Sequence, residues 1–310
     1  MSPRNRGNKI GLLGTITYDF ITSATGNAFQ GLGGILYQAA ALCGLGQDVT
    51  LFTNVGQDLV PLVEASTREW TTLSTDTWTR VPGPGNRVRL HYPEQGERQE
   101  VLESVVPALD PRRILPDLPL LDFLVLVINS GYDITLQDWR TVVEAAACPI
   151  WLDIHSLPLS KGLNVSREYR PVPDWQEWAT GVDYIQANAA EVASLTGEPG
   201  SRLEDRDLEH LANLAQETGA KAIFVTLGRE GVQVLTSRDS VLIPTQKAET
   251  IADATGCGDV LCAATVARLR AGDDAFAAAA FGARMATEAV EVAGVEKTFE
   301  LIREMSGSTS

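Results

Sequence analysis

The chain has 310 residues, of which 44% are hydrophobic, so it is long enough to bury a sizeable core. Its 40 acidic and 25 basic residues give a net charge of −15, which argues against nucleic acid and anionic membranes as main partners, because both select basic surfaces. The apolar run at 9–16 is too short for a signal-peptide core or a membrane helix. The four cysteines include no C-x-x-C pair, so we expect a cytoplasmic protein with free thiols.

Strand and helix patterns alternate along most of the chain. The predicted strands are at 9–16, 48–56, 120–131, 148–156 and 220–237, the last with a glycine turn inside it. The predicted helices are at 35–44, 134–147 and 207–219, with another after Asp259. Residues 182–197 predict a strand, a loop and a helix in that order. Repeated alternation with short connections indicates an α/β fold with a mainly parallel sheet, and we expect one such domain over 1–310.

Two segments depart from this alternation. Residues 79–107 alternate polar and apolar around a P-E-Q-G-E turn, which predicts a hairpin with one wet face. Residues 20–30 are rich in β-branched side chains and predict a short, exposed strand. We therefore expect a small β-lid made of insertions at about 18–32 and 79–107.

The stretch 255–259, T-G-C-G-D, stands before an alanine-rich helical segment. Glycines let backbone N–H groups approach a ligand, and the start of a helix adds further donors, so the turn can bind an anion such as a transferring phosphoryl group. Asp259 at its edge can take the proton of an attacking hydroxyl. The alternative is that Asp259 only caps the helix.

Four motifs resemble the ribokinase/PfkB carbohydrate kinases, and they occur in that family's order. D-A-T-G-C-G-D (253–259) resembles its D-T-x-G-A-G-D signature, and 31–58 resembles its first signature, a Gly-Gly pair, a helix, a strand and V-G-x-D. N-A-A-E (188–191) is similar to its N-x-x-E motif and 225–232 to its V-T-L-G-x-x-G-V turn. The resemblance spans roughly residues 9–295 and implies a ribokinase-like fold.

The resemblance also implies an activity, the ATP-dependent transfer of a phosphoryl group to a hydroxyl of a sugar or sugar-like substrate. Asp259 would be the general base, and the amides of Gly256, Cys257 and Gly258 would stabilise the transferred phosphoryl. The residues expected to bind the acceptor are Asp19, Gly33, Gly34, Gln38 and Asp153.

The same resemblance implies ATP and Mg²⁺ as cofactors. Asn188, Thr226, Gly228 and Gly231 would bind the nucleotide, and Glu191 would hold Mg²⁺ through water, which magnesium retains readily. Asp253 and Thr255 match positions that bind a monovalent cation such as K⁺ in some relatives. Lids of this family often pair between subunits, so a homodimer through the lid is expected.

Some positions depart from the family pattern and leave the substrate open. Gln38 stands where the family often has Asn, and Cys257 where alanine is common. A nucleoside acceptor would need stacking aromatic side chains, and a sugar phosphate would need cations on the lid. Tyr18, Phe20 and Tyr132 are the candidates for stacking, and Arg87 and Arg89 are the candidate cations. A hypothesis of another class is a non-catalytic sensor of sugar or nucleotide on the same fold.

Overall fold

The computed structural model describes residues 9–24, 26, 28–94, 98–197, 199–201, 203–248 and 250–307. The strands are β1 Lys9–Leu13, β2 Ile16–Ser23, β3 Ala28–Gly34, β4 Asp48–Phe52, β5 Asn54–Gly56, β6 Leu73–Ser74, β7 Thr79–Val81, β8 Asn86–Tyr92, β9 Gln99–Ser104, β10 Leu121–Val127, β11 Ile150–Asp153, β12 Tyr184–Asn188, β13 Ala222–Thr226, β14 Val232–Leu235 and β15 Ser240–Ile243. The α-helices are α1 Leu36–Gly44, α2 Val60–Ser66, α3 Leu136–Ala145, α4 Trp175–Ala179, α5 Ala189–Leu195, α6 Asp205–Thr218, α7 Cys257–Ala271, α8 Ala275–Ala289 and α9 Val295–Gly307.

A nine-stranded sheet with the order β15-β14-β13-β12-β11-β10-β1-β4-β6 forms the centre of the fold. The strands from β13 to β6 pair in parallel, and β14 and β15 continue the edge antiparallel. The predicted α/β fold with a mainly parallel sheet is confirmed. Because parallel strands end at one edge, the loops after β1, β10, β11, β12 and β13 converge there, and ligands of such sheets bind at that edge.

Both faces of the sheet are covered by helices. Along β10, Phe123 and Val125 face the core under α1, α7, α8 and α9, whereas Leu124 and Leu126 face the core under α3, α4, α5 and α6. A strand buried on both faces needs apolar residues at every position, which explains the continuous apolar run at 120–131. None of the described helices has the length and apolar character that crossing a membrane requires.

A second sheet, β3-β2-β8-β9, covers the carboxyl edge of the large one. The strands β8 and β9 pair antiparallel, as the alternation at 79–107 predicts. The glycine-rich residues 31–34, which precede the predicted helix, belong to β3 and pair with β2. The first lid segment therefore runs from Ile16 to Gly34, longer than the sequence predicts, with residues 25 and 27 outside the described part.

Candidate active site

Two adjoining cavities lie between the lid and the carboxyl edge of the sheet. The larger, of about 700 Å³, is lined by the ends of β12 and β13 and by the turn before α7. The smaller, of about 50 Å³, lies under the lid and is lined by Asp19, Val88 and Leu90. Residues that line both cavities are Arg98, His155, Thr255, Gly256 and Asp259. Asp259 is therefore placed at the junction, where a group could pass from one cavity to the other.

The turn before α7 includes a backbone conformation with positive φ, which glycine adopts readily. Gly256 is the N-cap residue with φ of +83°, a conformation that side chains disfavour. A Cβ on Gly256 would also overlap the ring of Tyr37, which is buried beneath it. Gly258, in contrast, is exposed to the larger cavity, with space for a Cβ 3.7 Å from Gln186 Nε2. The turn is held down by Tyr37 and presents its other side to the cavity.

Asp259 is partly buried at the start of α7, and its side chain is bonded from another helix. Gln38 Nε2 donates a hydrogen bond to Asp259 Oδ1. Burial raises the pKa of Asp259 to about 7, while the charge of Arg98 and the bond from Gln38 lower it. A carboxyl with a pKa near the working pH suits a general base, which must take a proton and release it again. The N-cap residue of α7 is Gly256, and Asp259 lies in the first turn of the helix.

The residues predicted to bind the acceptor divide into two sets. Asp19 and Gly34 line the smaller cavity, and burial raises the pKa of Asp19 to about 7. Gly33 lies behind Asp19, where a Cβ would overlap the carboxylate. Asp153 lines the larger cavity, and burial, with Glu191 nearby, raises its pKa well above the usual value. Gln38 lines neither cavity, and its side-chain amide contacts Asp259.

The residues predicted to bind the nucleotide lie on the far side of the larger cavity. Asn188 and Glu191 cap α5 reciprocally, with Asn188 Nδ2 2.6 Å from Glu191 Oε1, and both line the cavity. Thr226 ends β13 beside Asn188, and Gly228 follows it with φ of +57°. Gly231 is buried away from both cavities and packs against the backbone of Ile243. Its predicted nucleotide contact is therefore not borne out by its position.

Two kinds of candidate cation ligand lie near the site: Asp253 with Thr255, and single carboxylates such as Glu191. Asp253 Oδ1 accepts from the amide of Thr255 at 2.9 Å, whereas the buried Asp253 Oδ2 has no hydrogen-bond partner among the described residues. No group of three or more His, Cys, Asp or Glu side chains in the described ranges is close enough to hold a metal ion alone. Carboxylates that reach the larger cavity singly, as Glu191 does, suit an ion that keeps water and phosphate ligands.

Several site residues are not apparent in the sequence motifs. Gln186, on β12, donates to Asp153 at 3.1 Å and to the Gly258 carbonyl at 3.0 Å. Tyr92, at the end of β8, shares a 3.1 Å hydrogen bond with Thr255 Oγ1, which joins the lid to the glycine turn. Asn129 follows β10 and lines the smaller cavity with Arg98. The position of Asn129 just after a buried strand could have indicated it as a site residue. Arg98 and Tyr92 reach the site from the lid, and no sequence motif indicates them.

Other predicted residues lie away from the cavities. Arg87 pairs with Asp58 at 2.6 Å and Arg89 with Glu103, both on the outer side of the lid. The proposed stacking residues Tyr18, Phe20 and Tyr132 line neither cavity, because strand alternation that turns Asp19 inward turns Tyr18 and Phe20 outward.

Cys257, unlike Gly256 and Gly258, is not exposed to either cavity. Its amide already donates to the Ala254 carbonyl at 3.4 Å, and burial raises the pKa of its thiol to about 12. Cys257 lines neither cavity, so the glycines on both sides of it are the residues that the turn presents to a ligand.

Comparisons with known proteins show which sequences and folds this chain is similar to. A family model described as pfkB family carbohydrate kinase matches residues 159–300. The chain is 28% identical to the ribokinase of Staphylococcus aureus (strain COL) over 184 residues, which cover 58% of this chain and 59% of that protein.

Solved structures share the whole fold. The ribokinase of Thermotoga maritima aligns with a TM-score of 0.73 at 21% identity, covering 96% of this chain and 99% of that chain. The Burkholderia thailandensis nucleoside kinase, solved in complex with inosine, aligns with a TM-score of 0.74 at 17% identity, covering 96% and 97%. The fold is thus of the ribokinase-like α/β class. The chain is similar to the ribokinase/PfkB carbohydrate kinases in the segment 159–300 and in its overall fold.

Proposed function

We propose that this protein is an ATP-dependent phosphotransferase that moves the γ-phosphoryl group of ATP to a hydroxyl of a sugar or sugar-like substrate. The main observation is the position of Asp259 at the junction of the two cavities. The acceptor would occupy the cavity under the lid and the nucleotide the larger one. The family-model match and the similarity to a curated ribokinase support the same activity.

In this mechanism Asp259 takes the proton of the acceptor hydroxyl as the oxygen attacks phosphorus. The helix α7 begins at the same point, and its first N–H groups have no acceptor within the helix. These donors, at Gly256 and Gly258, would stabilise charge on the transferring phosphoryl. Phosphoryl transfer relies on positioning and charge stabilisation, which a glycine turn, one base and a closing lid can supply.

The residues on the wall of the larger cavity fit a magnesium nucleotide. Glu191 and Asn188 would bind Mg²⁺ through its water ligands, and Thr226 and Gly228 would contact phosphates. When bound, Mg²⁺ neutralises charge on the phosphate oxygens. The unpartnered Oδ2 of Asp253, with Thr255 two residues away, suits a monovalent cation. Requirements for Mg²⁺ and K⁺ follow as expectations, as does a homodimer through the lid.

The test is ADP release by the purified protein with a panel of sugars, sugar acids, sugar phosphates and nucleosides. Asp259→Asn should retain nucleotide binding, measured by calorimetry, and lose turnover by about 10³-fold or more, since general-base catalysis and substrate alignment are lost together. Turnover by this variant at the wild-type rate would contradict the assignment of the base. Ligand binding without any turnover in the wild type would instead favour the sensor hypothesis.

A nucleoside acceptor has weaker support. The aromatic residues proposed to stack on a base, Tyr18, Phe20 and Tyr132, line neither cavity. Tyr92 and Tyr169 line the larger cavity, so the nucleosides stay in the panel as a test of this alternative.

A further inference from the structure

Arg98 occupies an unusual position in the lid. It precedes β9 and lines both cavities, and it is the only lysine or arginine among the described residues that does so. Its guanidinium is 3.1 Å from Glu100, and its side chain keeps 29% of its exposure. The Arg98 guanidinium is therefore bound by Glu100 and is still accessible from the cavities.

Arg98 shares its ion-pair partner with a second arginine. Glu100 is buried and is shared with Arg167, whose Nη1 lies 2.6 Å from Glu100 Oε1. The remaining groups of Arg167 bond backbone carbonyls, with Nε 3.0 Å from Ser160 O, so Arg167 is committed to the protein. Two guanidinium groups thus face one carboxylate. Arg98 has five N–H donors, and its bonds to Glu100 and Tyr92 leave donors for a ligand.

Three titratable side chains near Arg98, those of Asp19, Asp259 and His155, have shifted pKa values. Burial raises the pKa of both Asp19 and Asp259 to about 7, so near neutral pH each carries less than a full negative charge. Burial and the charge of Arg98 lower the pKa of His155 to about 4, which leaves that imidazole neutral.

The influence of Arg98 falls on the side of the acceptor. The Arg98 charge lowers the pKa of Asp19, which lines only the smaller cavity. The raised pKa of Asp153, in the larger cavity, has other causes, namely burial, Glu191 and Asp259. In the smaller cavity Arg98 lies with Asp19 and Asn129, so its guanidinium can reach an acceptor bound there.

We propose that the acceptor carries an anionic group, a carboxylate or a phosphate ester, beside its hydroxyls, and that Arg98 binds this group. Asp19 and the buried Oδ1 of Asn129, which has no hydrogen-bond partner among the described residues, would accept from the hydroxyls. The planar guanidinium can donate two parallel hydrogen bonds to a carboxylate or phosphate, a geometry that the hydroxyls of a neutral sugar do not match. The inference rests on the proposed phosphotransferase function and specifies its acceptor.

The experiment compares acceptors matched in chain length: an aldonate, a 2-keto-3-deoxy aldonate, the parent aldose and the aldose phosphate. Wild-type kcat/KM should be at least 10-fold higher for one of the anionic acceptors than for the aldose, and the preferred one identifies the group. In Arg98→Met, KM for that acceptor should rise by about 10–100-fold, as expected for loss of a charged hydrogen bond, with KM for ATP unchanged. Arg98→Lys should give an intermediate value, and Arg89→Met, on the outer side of the lid, should match the wild type.

The results separate this inference from the proposed function. If the aldose is the better acceptor, or if Arg98→Met raises KM for ATP and for every acceptor equally, the anionic acceptor is wrong while the kinase activity stands. If the wild type phosphorylates none of the four, direct calorimetry decides: binding of an acid that Arg98→Met abolishes supports the anionic site without the activity. No binding of either acid or of the phosphate overturns the inference.

Discussion

The side-chain amide of Gln38 donates a hydrogen bond to Oδ1 of Asp259, joining two residues that are 221 positions apart. Gln38 lies in α1 and is fully buried, so it holds the carboxylate from below while the second carboxylate oxygen is left for other partners. The helices α1 and α7 share one core, which makes the bond depend on how they pack. In the proposed mechanism, Gln38, which the family pattern suggested for the acceptor, would therefore position the general base.

The rate should depend on pH through the carboxyl groups of the site. Burial raises the pKa of Asp259 and of Asp19 to about 7, and only ionised Asp259 can accept a proton. We expect kcat/KM to rise between about pH 6 and 8 with an apparent pKa that belongs to the pair. Steady-state kinetics across this range are the measurement, and a rate that is constant from pH 5 to 8 would contradict it.

Gln38→Leu should change the pKa and orientation of Asp259 without changing the residues that line the cavities. Loss of the donor to Asp259 removes an interaction that lowers the Asp259 pKa, so the rising limb of the pH profile should move to higher pH. We also expect kcat at pH 7 to fall by about 10-fold or more because the carboxylate is no longer oriented. Gln137→Leu, on the exposed face of α3, serves as the control. An unchanged pH profile in a folded Gln38→Leu protein would exclude the positioning role.

Asp259→Asn should stabilise the protein at alkaline pH. A carboxyl whose folded pKa is raised from 3.8 to about 7 binds its proton more tightly when folded, so ionising it destabilises the fold as pH rises from 4 to 7. Above pH 7 the variant should be more stable than the wild type by roughly 1–3 kcal/mol, and the difference should vanish near pH 4. Chemical unfolding at pH 5 and pH 8 measures this. A variant less stable at pH 8 would contradict the assigned burial cost.

Gly256→Ala and Gly258→Ala should separate stability from activity. At Gly256 the positive φ and the ring of Tyr37 both oppose a Cβ, so we expect a loss of roughly 2–4 kcal/mol in stability along with activity. At Gly258 the Cβ has room, so Tm should hold or rise, while the methyl group enters the cavity and lowers kcat. Thermal unfolding and kinetics of the two variants are compared directly. Equal Tm values would show that Tyr37 does not restrict the turn.

Tyr92→Phe tests the contact between lid and glycine turn. The lost hydrogen bond to Thr255 should loosen closure over the site, so ATP hydrolysis without acceptor should increase relative to transfer. We expect a several-fold larger ratio of hydrolysis to transfer. Tyr132→Phe, a lid-side tyrosine that lines neither cavity, is the matched control. If the two variants show the same ratio, the Tyr92 bond has no part in closure.

The sequence by itself determined the α/β fold, the order of its motifs and the edge of the sheet that carries the site. These features depend on signals that are local in the chain: continuous apolar strands, helix-forming runs and glycines at turns. The carboxyl ends of parallel strands share one edge, so residues such as Asp153, Asn188 and Thr226 could be assigned to it before any contact was known.

Only the tertiary structure decided which side chains meet at Asp259 and what charge surrounds it. Gln38 reaches the base through the packing of two helices, and Tyr37 lies under Gly256 for the same reason. Arg98 enters the cavities from the lid, whereas Arg87 and Arg89, which the sequence favoured, turn outward. Burial, which sets the pKa values of Asp19 and Asp259, is likewise a property of the packed molecule, since it sums contacts from distant segments.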